Sequence, residues 1–342
     1  MYKRFFGLKA NPFNPNPDPR FLFLTGATRE ALAALAYGIR NRKGFLLLTG
    51  EVGTGKTTLL NRLLEWLAEE KVATAFIFNS RLNEGEFFDF VLHDFGISCE
   101  SRDKSQRLIK LNEWLLDRYR EHNTAVLIVD EAQNLSADVL EEIRLLTNME
   151  TTQEKLLQIV LSGQPELEEK LRDASLRQLR QRITIRCSTC PLTREEMQSY
   201  VTERLRVAGA DGNPIFSVEA VEEVYRHSQG IPRIANLLCE HSLINAFVEQ
   251  VRPIPASIVD EVAREFELQK ANLLAQQLQL DGANQDEVVD AVVRKLQELV
   301  ERMNAANKAA SGAASGSTNG GSGNGDSVGS SASAKTGHKI PN

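Results

Sequence analysis

The 342-residue chain carries only four cysteines and two tryptophans, and no aromatic residue follows Phe266. Four cysteines over this length do not make a disulfide framework, so reduced thiols are expected. No apolar run approaches the roughly 20 residues that span a bilayer, which argues against an integral membrane protein. The first eight residues, Met1-Tyr-Lys-Arg-Phe-Phe-Gly-Leu, have two positive charges but no apolar stretch behind them, because Lys9, Asn11 and Pro12 interrupt it. A secretory signal is therefore not expected, and the chain is assigned to the cytoplasm. Strong charge of one sign is also absent: 40 Lys+Arg against 46 Asp+Glu give a formal net charge of −6. That balance supplies no global attraction to nucleic acid, though it leaves room for a local basic face.

At roughly 150 residues per domain the length suggests about two domains. Residues 1–25 are rich in Pro, Asn and Phe, with six aromatics (Tyr2, Phe5, Phe6, Phe13, Phe21, Phe23). They are expected to form a stiff strap lying on the body. Between residues 26 and 190, short apolar runs alternate with helical patterns. Phe45–Thr49, Val72–Phe78, Ala125–Val129 and Leu156–Leu161 predict buried strands, and Ile183–Ile185 begins a short fifth one. Continuous apolar strands separated by helices mean an α/β fold: a parallel five-stranded sheet with helices on both faces. From 191 to 268 the strand signal disappears, and a small all-helical domain is expected. Residues 269–304 predict an amphipathic helix with Val289, Leu296, Leu299 and Met303 at heptad-like spacing. From 305 to 342 the composition is Gly/Ser/Ala-rich, which predicts disorder. Eight of the 22 glycines lie in that tail, between Gly312 and Gly337.

The chemistry-bearing glycines are elsewhere. Gly50-Glu51-Val52-Gly53-Thr54-Gly55-Lys56-Thr57-Thr58 has the spacing of a phosphate-binding loop. Backbone N–H groups must converge on a polyphosphate, so side chains must be absent at Gly50, Gly53 and Gly55. A helix starting at Lys56 turns its positive N-terminal end toward the anion. In that role Lys56 reaches the β- and γ-phosphates, and the Thr57 hydroxyl ligates Mg²⁺. Val126-Leu-Ile-Val-Asp130-Glu131 supplies the second element, a buried strand ending in two acids. Asp130 holds Mg²⁺ through water, and Glu131 is the general base on the attacking water. The chemistry predicted is hydrolysis of ATP to ADP and phosphate.

The ordered set of motifs resembles the AAA+ ATPases and, within them, the ExeA/GspA-type secretion ATPases, over about residues 1–268. It comprises Phe5-Phe-Gly-Leu, Asn11-Pro-Phe and Pro17-Asp-Pro-Arg-Phe near the N-terminus, the phosphate loop, and Val129-Asp-Glu-Ala-Gln-Asn134. It continues with Ser162-Gly-Gln-Pro-Glu-Leu167, Leu179-Arg-Gln-Arg-Ile183 and Gly230-Ile-Pro-Arg233. The resemblance implies a P-loop NTPase core, 26–190, followed by a helical lid, 191–268. It makes Gln164 the sensor-1 residue, with Ser162 in reserve, and Arg233 the sensor-2 residue of the lid. Arg182 becomes the arginine finger that reaches a neighbouring subunit's γ-phosphate, with Arg180 as its rival. A finger implies a ring or spiral of identical subunits. The implied partners are inner-membrane components of secretion, pilus or exopolysaccharide-export systems, with the chain peripheral at that membrane. Relatives of this kind often add a membrane span and a peptidoglycan-binding domain, and neither pattern is seen here. The architecture is similar to that of soluble ATPases from PEP-CTERM and exopolysaccharide loci.

Two other functions fit the same motifs. One is an ATP-dependent DNA-binding regulator resembling the transposition ATPases, with duplex DNA as partner and the basic stretch Arg172 to Arg186 as its contact. The other is a nucleotide-gated scaffold with negligible turnover. Weaker signals have plain structural readings. Cys187-Ser-Thr-Cys190 is a lone CxxC without a second pair for zinc, and Cys99, Cys239 and His241 are isolated. Phe87, Phe88, Phe90, Val91 and Phe95 suit the core face of a helix.

Overall fold

Five apolar runs form the strands β1 (Phe45–Gly50), β2 (Ala73–Ile77), β3 (Ala125–Val129), β4 (Leu157–Gly163) and β5 (Ile183–Thr189). In the computed structural model, which describes residues 1–14, 16, 18–78 and 82–266, all five pair in parallel in the order β2-β3-β4-β1-β5. Parallel neighbours need crossovers, and helices supply them: α3 (Lys56–Glu69), α4 (Glu84–Asp94), α5 (Lys104–Arg120), α6 (Ala137–Leu146), α7 (Pro165–Lys170) and α8 (Arg177–Arg182). The short α1 (Tyr2–Phe5) and the longer α2 (Gly26–Arg40) precede them.

The alternation of side chains along each strand divides the interior into two layers. Phe45, Leu47, Leu127, Val129, Ile159 and Leu161 pack against α4, α5 and α6 on one face. Leu46, Leu48, Val126, Ile128 and Val160 pack against α2 and α3 on the other. Each fully buried Leu, Ile or Val contributes about 1.5–3 kcal/mol, so both faces must be covered. The fully buried Gln158 of β4 is satisfied: its Oε1 accepts from the Gly44 N–H at 2.7 Å, and its Nε2 donates to Lys155 O at 3.1 Å.

β5 runs for seven residues, longer than Ile183–Ile185 suggests. Its residues alternate between half-buried and exposed, as an edge strand's do. Thr184, Arg186 and Ser188 break the apolar run, and pairing with β1 carries the strand on. The strand order leaves Gly50, Asp130 and Ser162 at the same carboxyl edge of the three central strands, where open α/β sheets bind ligands.

After β5 the elements among the described residues are helices: α9 (Arg194–Val207), α10 (Val218–Ser228), α11 (Pro232–Glu249) and α12 (Ala256–Glu265). Caps start the first two: Thr193 and Glu196 form a capping box at α9, and the Ser217 side chain accepts from Ala220 N at α10. Strap, sheet and these helices all belong to one compact unit, Met1–Lys270. Residues 267–342, and with them the expected amphipathic helix and tail, lie outside the described residues.

The strap buries Phe6, Phe13 and Phe21; Phe13 meets Phe216 edge-on, and Arg204 of α9 lies over the Phe13 and Phe21 rings. The Tyr2 hydroxyl and Asn11 Nδ2 donate to Glu240 Oε1 on α11 at 2.8 and 3.0 Å. Glu240 Oε2 is buried with no hydrogen-bond partner among the described residues. Burial pushes the Glu240 carboxyl above the ordinary carboxylate range, although both hydrogen bonds oppose the shift. A carboxyl raised on folding costs the native state once the pH exceeds its unfolded value, and the cost is complete above its folded value. Glu240→Gln is therefore expected to raise Tm near pH 8, with the gain shrinking as the pH is lowered to about 4. Thermal unfolding across that range checks this; a difference independent of pH refutes it.

Candidate active site

The turn between β1 and α3 is built on its glycines. A Cβ on Gly50 would lie 2.1 Å from Thr189 Oγ1 and 2.7 Å from Thr189 O, so β5 leaves room for hydrogen alone. Gly53 and Gly55 have φ of +80° and +98°, in the left-handed region that favours glycine. Thr54 and Thr189 hydroxyls lie 2.7 Å apart and tie the loop to the end of β5. Gly55 caps α3 without a side chain, so the N–H groups of the first turn face the loop's hollow uncapped. This is the arrangement that binds phosphate at a helix N-terminus. Glu51, Val52 and Thr57 are exposed at its rim, Thr54 and Lys56 are buried, and Thr58 is half-buried.

Lys56 Nζ donates to Gly50 O at 2.6 Å and to Glu51 O at 3.0 Å. Burial holds its pKa below the ordinary lysine value, opposed by the charges of Glu131, Asp130, Glu51 and Glu166. The Thr57 hydroxyl donates to Asp130 Oδ2 at 3.1 Å. The other oxygen of Asp130 accepts from Ser162 Oγ at 2.7 Å and from the Glu131 N–H at 3.0 Å. Asp130 is thus fixed from β3, β4 and α3 together.

Glu131 stands next to it with φ +51°, off the strand and in the left-handed region. Its Oε2 accepts from Gln133 Nε2 at 2.6 Å and from Gln164 Nε2 at 3.2 Å. The two polar residues after β4 divide the acids between them: Ser162 bonds Asp130 and Gln164 bonds Glu131. Gln133, which lies within the motif Val129–Asn134 without a role assigned to it there, and Lys170, which lies in none of the motifs, join the site. Lys170 Nζ donates to Gln133 O at 3.0 Å and to Leu135 O at 2.5 Å. A lysine 37 positions downstream carries no local pattern to mark it.

Arg233 begins α11, exposed, and its N–H donates to Gly53 O at 3.2 Å. A Cβ on Gly53 would lie 2.8 Å from the Arg233 Cβ, so loop and helix touch there. Arg182 is not brought to this site. It closes α8, its Nη1 donates to Thr147 Oγ1 at 2.5 Å, and β5 starts after it. Ile183 pairs with Phe45 at the start of β1, and Gly50 is the end of β1. Six strand residues, five steps of about 3.3 Å, separate those ends by about 17 Å. Arg180 is half-buried, and Arg172, Arg177 and Arg186 are exposed.

The weaker signals resolve into structure. The four cysteines are free thiols. Cys187 Sγ contacts Leu47 O at 3.4 Å, and burial pushes its thiol up to about 12. Cys239 is fully buried in α11, and His241 stacks edge-on against Phe266. Phe87, Phe88, Val91 and Phe95 are buried on α4, while Phe90 is 42% exposed. Among the described residues one trio, Glu223, His227 and Asp260, has metal-ligand spacing. Arg226 and Arg264 bond the same carboxylates, so the trio is an ion-pair cluster tying α10 to α12. No described helix is long and apolar enough to cross a membrane.

Residues 39–171 match the AAA domain family. Over 249 residues the sequence is 45% identical to general secretion pathway protein A of Aeromonas hydrophila, covering 72% of this chain and 45% of that protein. The chain thus spans less than half the length of this relative. The fold is similar to Cdc6p of Pyrobaculum aerophilum, with a TM-score of 0.58 and 18% identity over 84% of this chain and 83% of that one. For the Aeropyrum pernix ORC2 protein the TM-score is 0.57, with 16% identity over 83% and 82%. For the Thermotoga maritima RuvB branch-migration motor it is 0.51, with 16% identity over 77% and 81%. At such identities these three share the fold alone. With a phosphate loop, paired acids at the end of β3 and 45% identity to the secretion protein over 72% of this chain, the chain belongs to the AAA+ ATPases of the ExeA/GspA type.

Proposed function

We propose that this chain binds ATP with Mg²⁺ at the phosphate loop and hydrolyses it to ADP and phosphate in an assembly whose subunits complete one another's sites. The observation that carries the reading is the Thr57–Asp130–Ser162 hydrogen-bonded chain, which joins the first turn of α3 to the ends of β3 and β4. Residues 26–190 serve as the nucleotide core and 191–268 as its lid.

The donor set suits a hard divalent cation. Thr57 Oγ1 and Asp130 Oδ2 are oxygen donors side by side, and Mg²⁺ takes one or two such groups together with phosphate oxygens. Bound there, it offsets charge on the β- and γ-phosphates. The chain's own groups do the rest. The α3 N–H groups and Lys56 hold the phosphates, with the lysine exchanging its carbonyl partners for phosphate oxygens. Glu131 takes a proton from the attacking water. Gln164, already bonded to Glu131, orients that water. Arg233 reads the nucleotide from the lid, whose backbone contact to Gly53 lets lid motion follow the loop.

Arg182 acts in trans. It lies about 17 Å along β1 from its own loop, which a single side chain does not span, so the phosphate it serves belongs to a neighbour. The likeness to a general secretion pathway protein supports a role in secretion; the proposed ring or spiral works at the cytoplasmic side of the inner membrane, with secretion or polysaccharide-export components as partners.

Two singly inactive variants test the assembly. Arg182→Ala and Lys56→Ala are each expected to release little phosphate from ATP. Mixed, they should recover part of the wild-type rate, because an intact loop then meets an intact finger. No recovery at any ratio removes the trans role. ATP-dependent retention of duplex DNA in a gel shift, lost with rising salt, would instead favour a DNA-binding regulator.

A further inference from the structure

Gln133 is held in a seat of its own. Its Oε1 accepts from the backbone N–H of Gln164 at 3.1 Å, and its Nε2 donates to Glu131 Oε2 at 2.6 Å. The first contact fixes the second: with the carbonyl end committed to an N–H, the amide must turn its NH₂ toward the carboxylate. Two further features hold the seat. A Cβ on Gly163 would lie 2.9 Å from Gln133 Oε1 and 2.8 Å from Leu167 Cδ2, so the side chain occupies the room that this glycine leaves. Lys170 Nζ pins the backbone carbonyls of Gln133 and Leu135, closing the turn Ala132–Asn134 that follows Glu131. Burial lowers the Lys170 pKa, its amine being held by those carbonyls inside the turn.

We propose that Gln133 is a positioning residue for ATP hydrolysis: seated by Gly163, the Gln164 N–H and Lys170, it sets the place and rotamer of the Glu131 carboxylate. The inference rests on Glu131 being the general base. Glu131 needs such support because it has left the strand, with its φ in the left-handed region, and β3 pairing no longer fixes it. Gln164 gives a second, longer bond to the same oxygen and is itself tied to Gln133 through its N–H. The two glutamines thus form one unit spanning the ends of β3 and β4. A carboxylate displaced by about 1 Å from the attacking water costs up to about 10²-fold in rate.

The experiment uses the full chain with Mg²⁺ and ATP, reading steady-state phosphate release and the Kd of a fluorescent ATP analogue. Gln133→Met keeps the length and apolar stem but donates no hydrogen bond. It is expected to lower kcat about 10- to 100-fold with Kd unchanged. Gly163→Ala, which crowds the amide end of Gln133 and the Leu167 side chain at Cδ2 and Cβ, should lower kcat in the same direction with Gln133 intact. In a Glu131→Gln background, Gln133→Met should add nothing, since the two act through one carboxylate. A merely structural Gln133 would tolerate methionine. Wild-type kcat in Gln133→Met, with Glu131→Gln inactive, overturns the positioning role and leaves the base assignment standing. Wild-type kcat in Glu131→Gln overturns both. Equal loss of kcat and ATP binding in Gln133→Met and Gly163→Ala also overturns it, because the turn would then be supporting the whole site.

Discussion

Glu131→Gln is expected to bind ATP with near-normal affinity and to hydrolyse it about 10²- to 10⁴-fold more slowly, the range that loss of a general base costs. The substitution keeps the side chain's shape and removes its ability to take a proton. Of the groups assigned to the phosphates and the cation, Lys56 donates to the Gly50 and Glu51 carbonyls, Thr57 donates to Asp130, and Asp130 also accepts from Ser162; none of these bonds uses the Glu131 side chain. Binding and turnover should therefore separate. With Arg182 in its proposed trans role, the unhydrolysed nucleotide should also lengthen the life of the assembly. Phosphate release, nucleotide affinity and size in the presence of ATP are the three measurements. Release at the wild-type rate would falsify the catalytic assignment and leave a nucleotide-gated scaffold as the better account.

The second large effect is on stability and lies far from the acids. Arg204, on α9, is buried, with no carboxylate bonded to it among the described residues. Its Nε donates to Pro12 O at 2.6 Å, and Nη1 donates to Phe21 O at 3.5 Å and to the Tyr200 hydroxyl at 3.1 Å. Its guanidinium also lies over the rings of Phe21, Tyr200 and Phe13, 4.8, 5.4 and 5.9 Å from their centroids. Carbonyls and ring faces substitute for a counter-ion, because both direct partial negative charge at the cation. Arg204→Ala leaves buried carbonyls of the strap unpaired and opens a space between three rings. We expect a loss of about 3 kcal/mol, which at this size lowers Tm by roughly 6–12 °C. Protease cleavage within residues 1–25 should accelerate in the variant, since the strap is what the arginine holds. An unchanged Tm with an uncut strap would contradict this account.

Much of the site was legible because its demands are local. A phosphate loop needs glycines at fixed spacing, a lysine and a hydroxyl on one helical turn, and a buried strand in front; all lie within 14 residues, Phe45–Thr58. The acids at the end of β3 are adjacent in sequence for the same reason. The strands were legible because strands buried on both faces must be apolar throughout. α6, α7 and α8 were not, although α6 carries a buried stripe of Val139, Leu140, Ile143 and Leu146. Helices of 6–10 residues offer only two or three turns of periodicity. The length of β5 was missed because pairing with β1, not burial, carries its second half.

The sequence by itself determined the chemistry the chain is equipped for, since phosphate-binding and proton-accepting groups occur in short contiguous runs. It also determined the class of fold, since apolar period and strand length depend on neighbours along the chain. The tertiary structure alone decided which partner each acid has. Ser162 reaches Asp130 across 32 positions, Gln164 reaches Glu131 across 33, and Lys170 pins Gln133 across 37. It also decided that a strap at the N-terminus is held by an arginine 192 positions away. Such contacts arise from strand order and helix packing, and a hydrogen bond between residues so far apart in the chain leaves no period or spacing in the sequence to announce it.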